Sequence, residues 1–290
     1  MTKIRLALLR GICQTPAYVA HAKGYFAEEG LDVEISVSPT AWLIPDELLS
    51  RKSHFGVIPW TRVAAAERLE APLRVICGSG CEEAALVVRA GLETGEVKSV
   101  AVPREGGIKD LTAMELIDRM GWQHVRQLRF PSGDGAILAF VGQGADAASM
   151  VEPYATMLEV LGLGRVVKRT GDLWKGAPGC SLAASAAFLD ERPDIAQKVV
   201  DAYVRGAATV AAEPAFAAAA AEPYIGVRAD IVQRALGVNR PSCDAIRNEA
   251  AMAEILSLML RLGYVAEIPR NYAQLGFLDA AQEKLALRTR

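Results

Sequence analysis

The strongest constraint on this chain is a rhythm that runs once and then starts again. Residues 4–9, "LDVEISV", "FGVIP" and "PLRVICG" are short apolar or alternating runs, each of strand length. Helix-patterned segments separate them: one opening at Pro16, one over 45–52 and one over 62–70. Gly30, after two glutamates, reads as a helix C-cap. Strands alternating with helices imply a parallel sheet joined by right-handed crossovers.

From about residue 84 the pattern restarts. "ALVVRA", "VAVP", "VRQLRF", "ADAASM" and "RVVKR" read as strands, with helices running to 120 and to 142 between them. Beyond "CSLAASAAFLDERP" the chain turns helical, with helices expected at 194–212, 214–221, 228–236 and 243–262. Two similar sheets followed by a helical tail imply an α/β protein of two lobes. Each lobe is a mainly parallel sheet flanked by helices. Crossings between lobes are expected near 83–90 and 180–188. Lobe I then holds 1–86 and 186–290, including the tail, and lobe II holds 87–185.

Bulk properties exclude some partners. At 290 residues the chain fits two ordinary lobes. A formal charge of -2, with no Lys/Arg stripe, gives no nucleic-acid footprint. No run of eighteen apolar residues exists, so no membrane span is expected; Glu213 and Pro214 divide the alanine-rich stretch that comes closest. The apolar run after Met1 is too short for a signal peptide. The chain is therefore expected to be cytoplasmic if complete as given, or periplasmic or lipid-anchored if an export signal has been removed. Five cysteines form an odd set without a disulfide framework, so at least one thiol stays free within a single chain.

Ligands of open α/β sheets bind at the carboxyl ends of the strands. That rule gathers "RGICQTP", "SPTAW", "IPWT", "CGSGC", "PREGG", "PSGDG" and "VEPY" around one pocket. Arg10 and Arg104 follow strands there, and guanidinium forks suit carboxylate, sulfonate or phosphate. Gly11 and Gly106 lie in the same loops, and the glycines after Arg104 precede a helix N-terminus that offers backbone donors. Trp42 and Trp60 follow strands two and three, as stacking platforms for a flat ligand or as core. Thr15, Thr40, Thr61, Ser79, Asp134, Glu152 and Tyr154 are hydrogen-bonding candidates by position. Cys77 and Cys81 have a poor metal spacing, and His21, His54 and His124 are scattered. No metal and no cofactor are expected.

Several stretches resemble one family in order and spacing. "AKGYFAEEGLDVEI", "FGVIPW", "EAPLRVICG", "VKSVAVPREGG", "GQGADAASMVEPYATMLEVLGLGRVV" and "FLDERPDIAQKVVDAYVRGA" are similar to the solute-binding proteins for nitrate, sulfonate, taurine and thiamine precursors, the NMT1/THI5-like and SsuA/TauA/NrtA-like group. The resemblance covers roughly residues 3–215. It implies a type II periplasmic-binding-protein fold that closes on a small molecule and delivers it to an ABC transporter permease. The expected ligand is a small organic anion, with an aromatic ring as a second feature: a sulfonate, a carboxylate or a pyrimidine-like compound.

The same fold also houses cytoplasmic enzymes and suits a cytoplasmic ligand sensor. Cys13 stands three residues before Pro16, the place of the nucleophile in a related desulfinase. It is read either as a pocket-wall thiol or, in the enzyme alternative, as that nucleophile, activated by the helix N-terminus and Arg10. The basic partners that a desulfinase adds have only His54 and Arg51 as counterparts here. The cysteine run of the pyrimidine synthases is absent.

Overall fold

The computed structural model describes residues 1–67 and 72–288. In chain order the first half of the molecule runs β1 (Thr2–Leu8), α1 (Thr15–Ala22), α2 (Tyr25–Glu28), β2 (Leu31–Val37), α3 (Ile44–Leu49), β3 (Phe55–Pro59), α4 (Trp60–Ala65) and β4 (Leu73–Gly78). Gly24 and Gly30 take positive φ at the ends of α1 and α2, and Gly30 lets the chain turn straight into β2. Helix α4 begins at Trp60, directly behind Pro59, two residues earlier than the pattern suggests. The last part of the expected 62–70 helix, from residue 68, lies outside the described residues.

A second set follows: β5 (Ala84–Arg89), β6 (Ser99–Pro103), α5 (Ile108–Arg119), β7 (Arg126–Phe130), α6 (Gly133–Val141), β8 (Ala147–Val151), α7 (Tyr154–Val160) and β9 (Gly164–Arg169). The chain returns through β10 (Cys180–Ser185) and α8 (Ala186–Glu191). The tail comprises α9 (Pro193–Ala212), α10 (Pro214–Ile225), α11 (Ala229–Val238), α12 (Glu249–Arg261) and α13 (Gly276–Arg288).

The sheets have orders β2-β1-β3-β10-β4 and β7-β6-β8-β5-β9. Both are mixed in the same way: four strands run in one direction, and the strand that arrives from the other lobe is inserted antiparallel. Thus β10 pairs with β3 and β4, and β5 pairs with β8 and β9. This is the two-lobed periplasmic-binding-protein fold. The crossings lie between β4 and β5 and between β9 and β10, earlier than expected. The expected boundaries at 86/87 and 185/186 fall inside β5 and behind β10. Hydrogen bonding assigns all of β5 to the second sheet and β10 to the first. An apolar run identifies a strand but does not say which sheet receives it.

Two tail features differ from the sequence pattern. The 243–262 helix is interrupted: a 3-10 turn covers Asp244–Arg247, and the Asn248 side chain accepts from Ala251 N (3.2 Å), starting α12 afresh. Helix α13 was not expected, because only Leu278 and Ala281 of it are buried. It is anchored instead by Lys284, which pairs with Asp201 and Glu29, and by the segment before it. There Val75 N donates to Tyr272 O and Gln274 N donates to Val75 O, extending the first sheet past β4.

The first sheet and the tail share one continuous core. The second sheet has two smaller cores, one facing α5 and one facing α6 and α7. Among the described residues no helix is long and apolar enough to cross a membrane.

Candidate ligand-binding cleft

Both sheets point their carboxyl ends at a cavity of about 90 Å³ between the lobes. The loop after β1 reaches it from one side, and the first turns of α5 and α6 reach it from the other. The lobes already touch around its rim. Thr40 Oγ1 and Trp42 Nε1 both donate to Pro131 O (3.1 and 3.0 Å), and Ile12 N donates to Glu152 O (3.0 Å). Arg10 pairs with Asp134 at 3.1 Å, both half exposed.

Seven of the expected residues line the cavity: Arg10, Gly11, Cys13, Thr40, Arg104, Asp134 and Tyr154. The other seven do not, each for a visible reason. Thr15 is fully buried and donates to Ile12 O (2.7 Å), closing its own loop. Trp42 spans the rim, with its ring under the Arg104 guanidinium 4.5 Å from the centroid. Trp60 is core: it is fully buried, donates to Pro178 O (3.0 Å) and packs on Tyr272. The expected pair of indole platforms therefore does not exist. Thr61 donates to Gly106 O (2.8 Å), tying α4 to the second lobe, and Gly106 takes φ +88 to make that turn. Ser79 bonds to Cys13 O and to the Tyr203 hydroxyl, beneath the cavity floor. Glu152 is buried against Arg169 (2.7 Å) and caps α7 at Thr156 N (2.9 Å), so its carboxylate is structural.

Four lining residues that matter lay outside the sequence reading: Arg62, Glu83, Lys109 and Cys180. The Lys109 ammonium has no hydrogen bond or ion pair among the described residues. Gly133 makes room for it, since a Cβ there would lie 2.6 Å from Nζ. Burial lowers the Lys109 pKa, although Cys180, Glu83, Cys13 and Asp134 all pull the other way. Arg62 donates to Glu105 O (2.7 Å), yet its buried Nε has no partner. Its pKa is lowered by burial and then by Arg104. Lys109 lies two residues past "PREGG" and Arg62 directly after "IPWT", two loops that the strand-end rule places at the pocket.

Glu83 is 3% exposed and accepts from Cys180 N (3.1 Å) and Cys180 Sγ (3.2 Å). A Cβ at Gly80 or Gly179 would lie 2.0 or 2.3 Å from its side chain, so both glycines are needed to seat it. Cys13 is also buried, and Gln14 Nε2 donates to its sulfur at 3.1 Å. The Cys180 hydrogen bond pulls the Cys13 pKa down, but burial and the Glu83 charge outweigh it and push the thiol up. A thiol so held is a poor nucleophile at neutral pH, which does not favour the enzyme alternative.

Residues 1–225 match the model of the NMT1-like family. The chain belongs to this family. "Putative binding protein YtlA" of Bacillus subtilis (strain 168) is 24% identical over 217 residues, 71% of this chain. The chain spans just under two thirds of that relative, 65% of its length.

Solved structures resemble this NMT1-like chain along almost its whole length. The periplasmic nitrate-binding protein NrtA from Synechocystis PCC 6803 matches with a TM-score of 0.85 at 14% identity, over 98% of this chain and 89% of its own. The ligand-binding component of an ABC-type import system from Staphylococcus aureus, with zinc bound, gives 0.83 at 15%, over 97% and 99%. The alkanesulfonate-binding protein SsuA from Xanthomonas axonopodis pv. citri, bound to MOPS, gives 0.78 at 14%, over 95% and 99%. At these identities the likeness establishes the fold.

The chemistry of the NMT1-like cleft follows from its charges. Arg10, Arg62, Arg104 and Lys109 face two acids, Glu83 and Asp134. The excess is positive.

Proposed function

We propose that this protein is the substrate-binding component of an ABC importer and captures a small organic anion between its lobes. The observation that carries the reading is Lys109: a half-buried cation with no hydrogen-bond or ion-pair partner among the described residues, lining the cavity between the lobes, is incompletely compensated until an anion meets it. Arg62, which lines the cavity, adds a second cation there, of the guanidinium kind suited to carboxylate or sulfonate oxygens. The remaining lining, which includes Ile137, Met150, Val151 and Tyr154, suits a short organic body. The fully buried Trp60 and the occupied face of Trp42 remove the argument for an aromatic ring, so a compact sulfonate or carboxylate is the favoured class.

In this reading Arg10, Thr40, Arg104 and Asp134 join the lobes around the ligand, closure is a hinge motion about the two crossings, and a permease receives the closed form outside the cytoplasm. The names of the resembling proteins, nitrate- and alkanesulfonate-binding, point to the same kind of ligand. A thermal-shift panel of alkanesulfonates, carboxylates, nitrate and pyrimidines tests it. A ligand held at a hundred times its Kd stabilises the folded form by about 2.7 kcal/mol, a readily measured rise in Tm. Shifts with anions are expected; shifts confined to neutral or cationic compounds overturn the reading.

A further inference from the structure

We propose that Cys13, Cys180 and Glu83 form a binding site for one thiophilic divalent cation, of which zinc is the reference case, in the floor of the cleft. The two sulfurs and a Glu83 carboxylate oxygen lie within 4.8 Å of one another, and all three residues are buried. They come from three distant segments: the loop after β1, the turn before β5 and the first residue of β10. No local spacing motif announces them, and only the insertion of β10 beside β3 brings them together.

The geometry suits the metal. A tetrahedral zinc with Zn–S of about 2.3 Å and Zn–O of about 2.1 Å holds its ligand atoms roughly 3.6–3.8 Å apart. The triad therefore needs shifts of about 1 Å at most: Cys180 Sγ and Glu83 Oε1, 3.2 Å apart, open slightly, and no pair has to close by more than that. Two thiolates and one carboxylate are a donor set that selects zinc-like ions over calcium or magnesium. The ligands are also held from behind. Glu83 sits between Gly80 and Gly179 with Cys180 N on one oxygen, Gln14 Nε2 reaches the Cys13 sulfur, and Ser79 holds the Cys13 carbonyl. All three ligand residues line the cavity.

Binding involves no change of oxidation state. Each thiol gives its proton to solvent and its sulfur forms a bond to the metal. The three negative charges of the ligands are then matched by the divalent cation and the neighbouring Lys109 ammonium. This site stands apart from anion capture, because it requires no organic ligand and is tested without one.

The test uses the reduced full-length chain and metal ions alone. Titration with Co²⁺ is expected to raise a near-ultraviolet sulfur-to-cobalt charge-transfer band that saturates at one equivalent and is abolished by Zn²⁺. Zn²⁺ binding is expected to release two protons. Cys13→Ser and Cys180→Ser each remove most of the band, and Glu83→Gln keeps it while weakening Zn²⁺ at least tenfold. Cys243→Ser, at the thiol beside Cys77, leaves it unchanged. No band in the wild-type chain overturns the proposal, with no variant needed. So does a band that survives in the Cys13→Ser, Cys180→Ser double variant, which would mark an adventitious ion only.

Discussion

The two lobes share one strand plan and differ in what covers it. The first sheet shares a single core with α1 and the tail helices, whereas the second has two thin cores, one on each face. Leu138, Val141, Val160 and Leu161 remain exposed on α6, α7 and the turn after α7. The cleft inherits this inequality. Its floor, at Cys13, Glu83 and Cys180, is tied into the thick lobe through Ser79 and Tyr203. Arg104, in the turn after β6, and Lys109 and Asp134, in the first turns of α5 and α6, belong to the thin one, and Arg10 and Arg62 belong to the thick one. The difference teaches an unequal footing: each lobe brings two cations to the cleft, but those of the first stand on a thick core and those of the second on thin ones.

The largest expected effect falls on the thick lobe. A Cβ at Gly206 of α9 would lie 2.2 Å from Pro16 O and 3.0 Å from the Ala20 side chain, so α9 packs on α1 only because this residue has none. Gly206→Ala is expected to lower stability by about 3 kcal/mol, read as a lower denaturant midpoint at unchanged slope. A loss well below about 1 kcal/mol would mean the tail is not the main support of this lobe.

The next effect is confined to the thin lobe. Asp110 has a fully buried side chain that accepts from Arg129 Nη1 (2.6 Å) and Gly106 N (3.0 Å). Asp110→Asn is expected to cost about 2 kcal/mol, by weakening charge-assisted hydrogen bonds at a buried site. Amide hydrogen exchange should speed up in β6 and β7 while β1 and β3 stay protected. Equal acceleration in both sheets would show that the lobes open as one unit.

Smaller effects probe the rim and the first sheet. Trp42→Phe removes the indole donation to Pro131 O and is expected to weaken ligand affinity about fivefold, which corresponds to about 1 kcal/mol in the closed state. An unchanged affinity would remove Trp42 from the account of closure. In the first sheet, His54 Nδ1 accepts from Arg5 N at 2.9 Å. Burial lowers its pKa, and Arg5 and Arg51 push the same way. The unfolded chain therefore takes up the proton first as pH falls through about 6.5. The His54 contribution is complete above that pH and declines below it, until the folded form also protonates. His54→Gln should flatten the dependence of Tm on pH between about 7 and 5. A slope unchanged in the variant would assign it to other groups.

What could be read from the sequence is also uneven. Strand-length apolar runs and the restart near residue 84 were enough to establish two sheets, since side-chain period reports local structure directly. Sheet membership of β5 and β10 was not readable, because pairing is decided by distant segments. At the cleft, the loops were readable and the side chains only partly. Arg10, Arg104 and Asp134 reach the cavity from strand ends as polar residues do. Trp60 sits in the same kind of place and turns inward, because Pro178 and Tyr272 give its indole a buried partner. Glu83 and Cys180 were invisible because their meaning lies in a three-segment junction. Lys109 was the nearest miss: it follows "PREGG" by two residues, but nothing local distinguishes a lysine aimed into a cleft from one in solvent.

The most direct test of the central claim is calorimetric titration of wild type and Lys109→Met with the anion that gives the largest thermal shift. The account predicts at least a tenfold loss of affinity, the cost of a charge-assisted contact, with folded stability unchanged or raised because an unpaired, half-buried cation has gone. Affinity within twofold of wild type would contradict it.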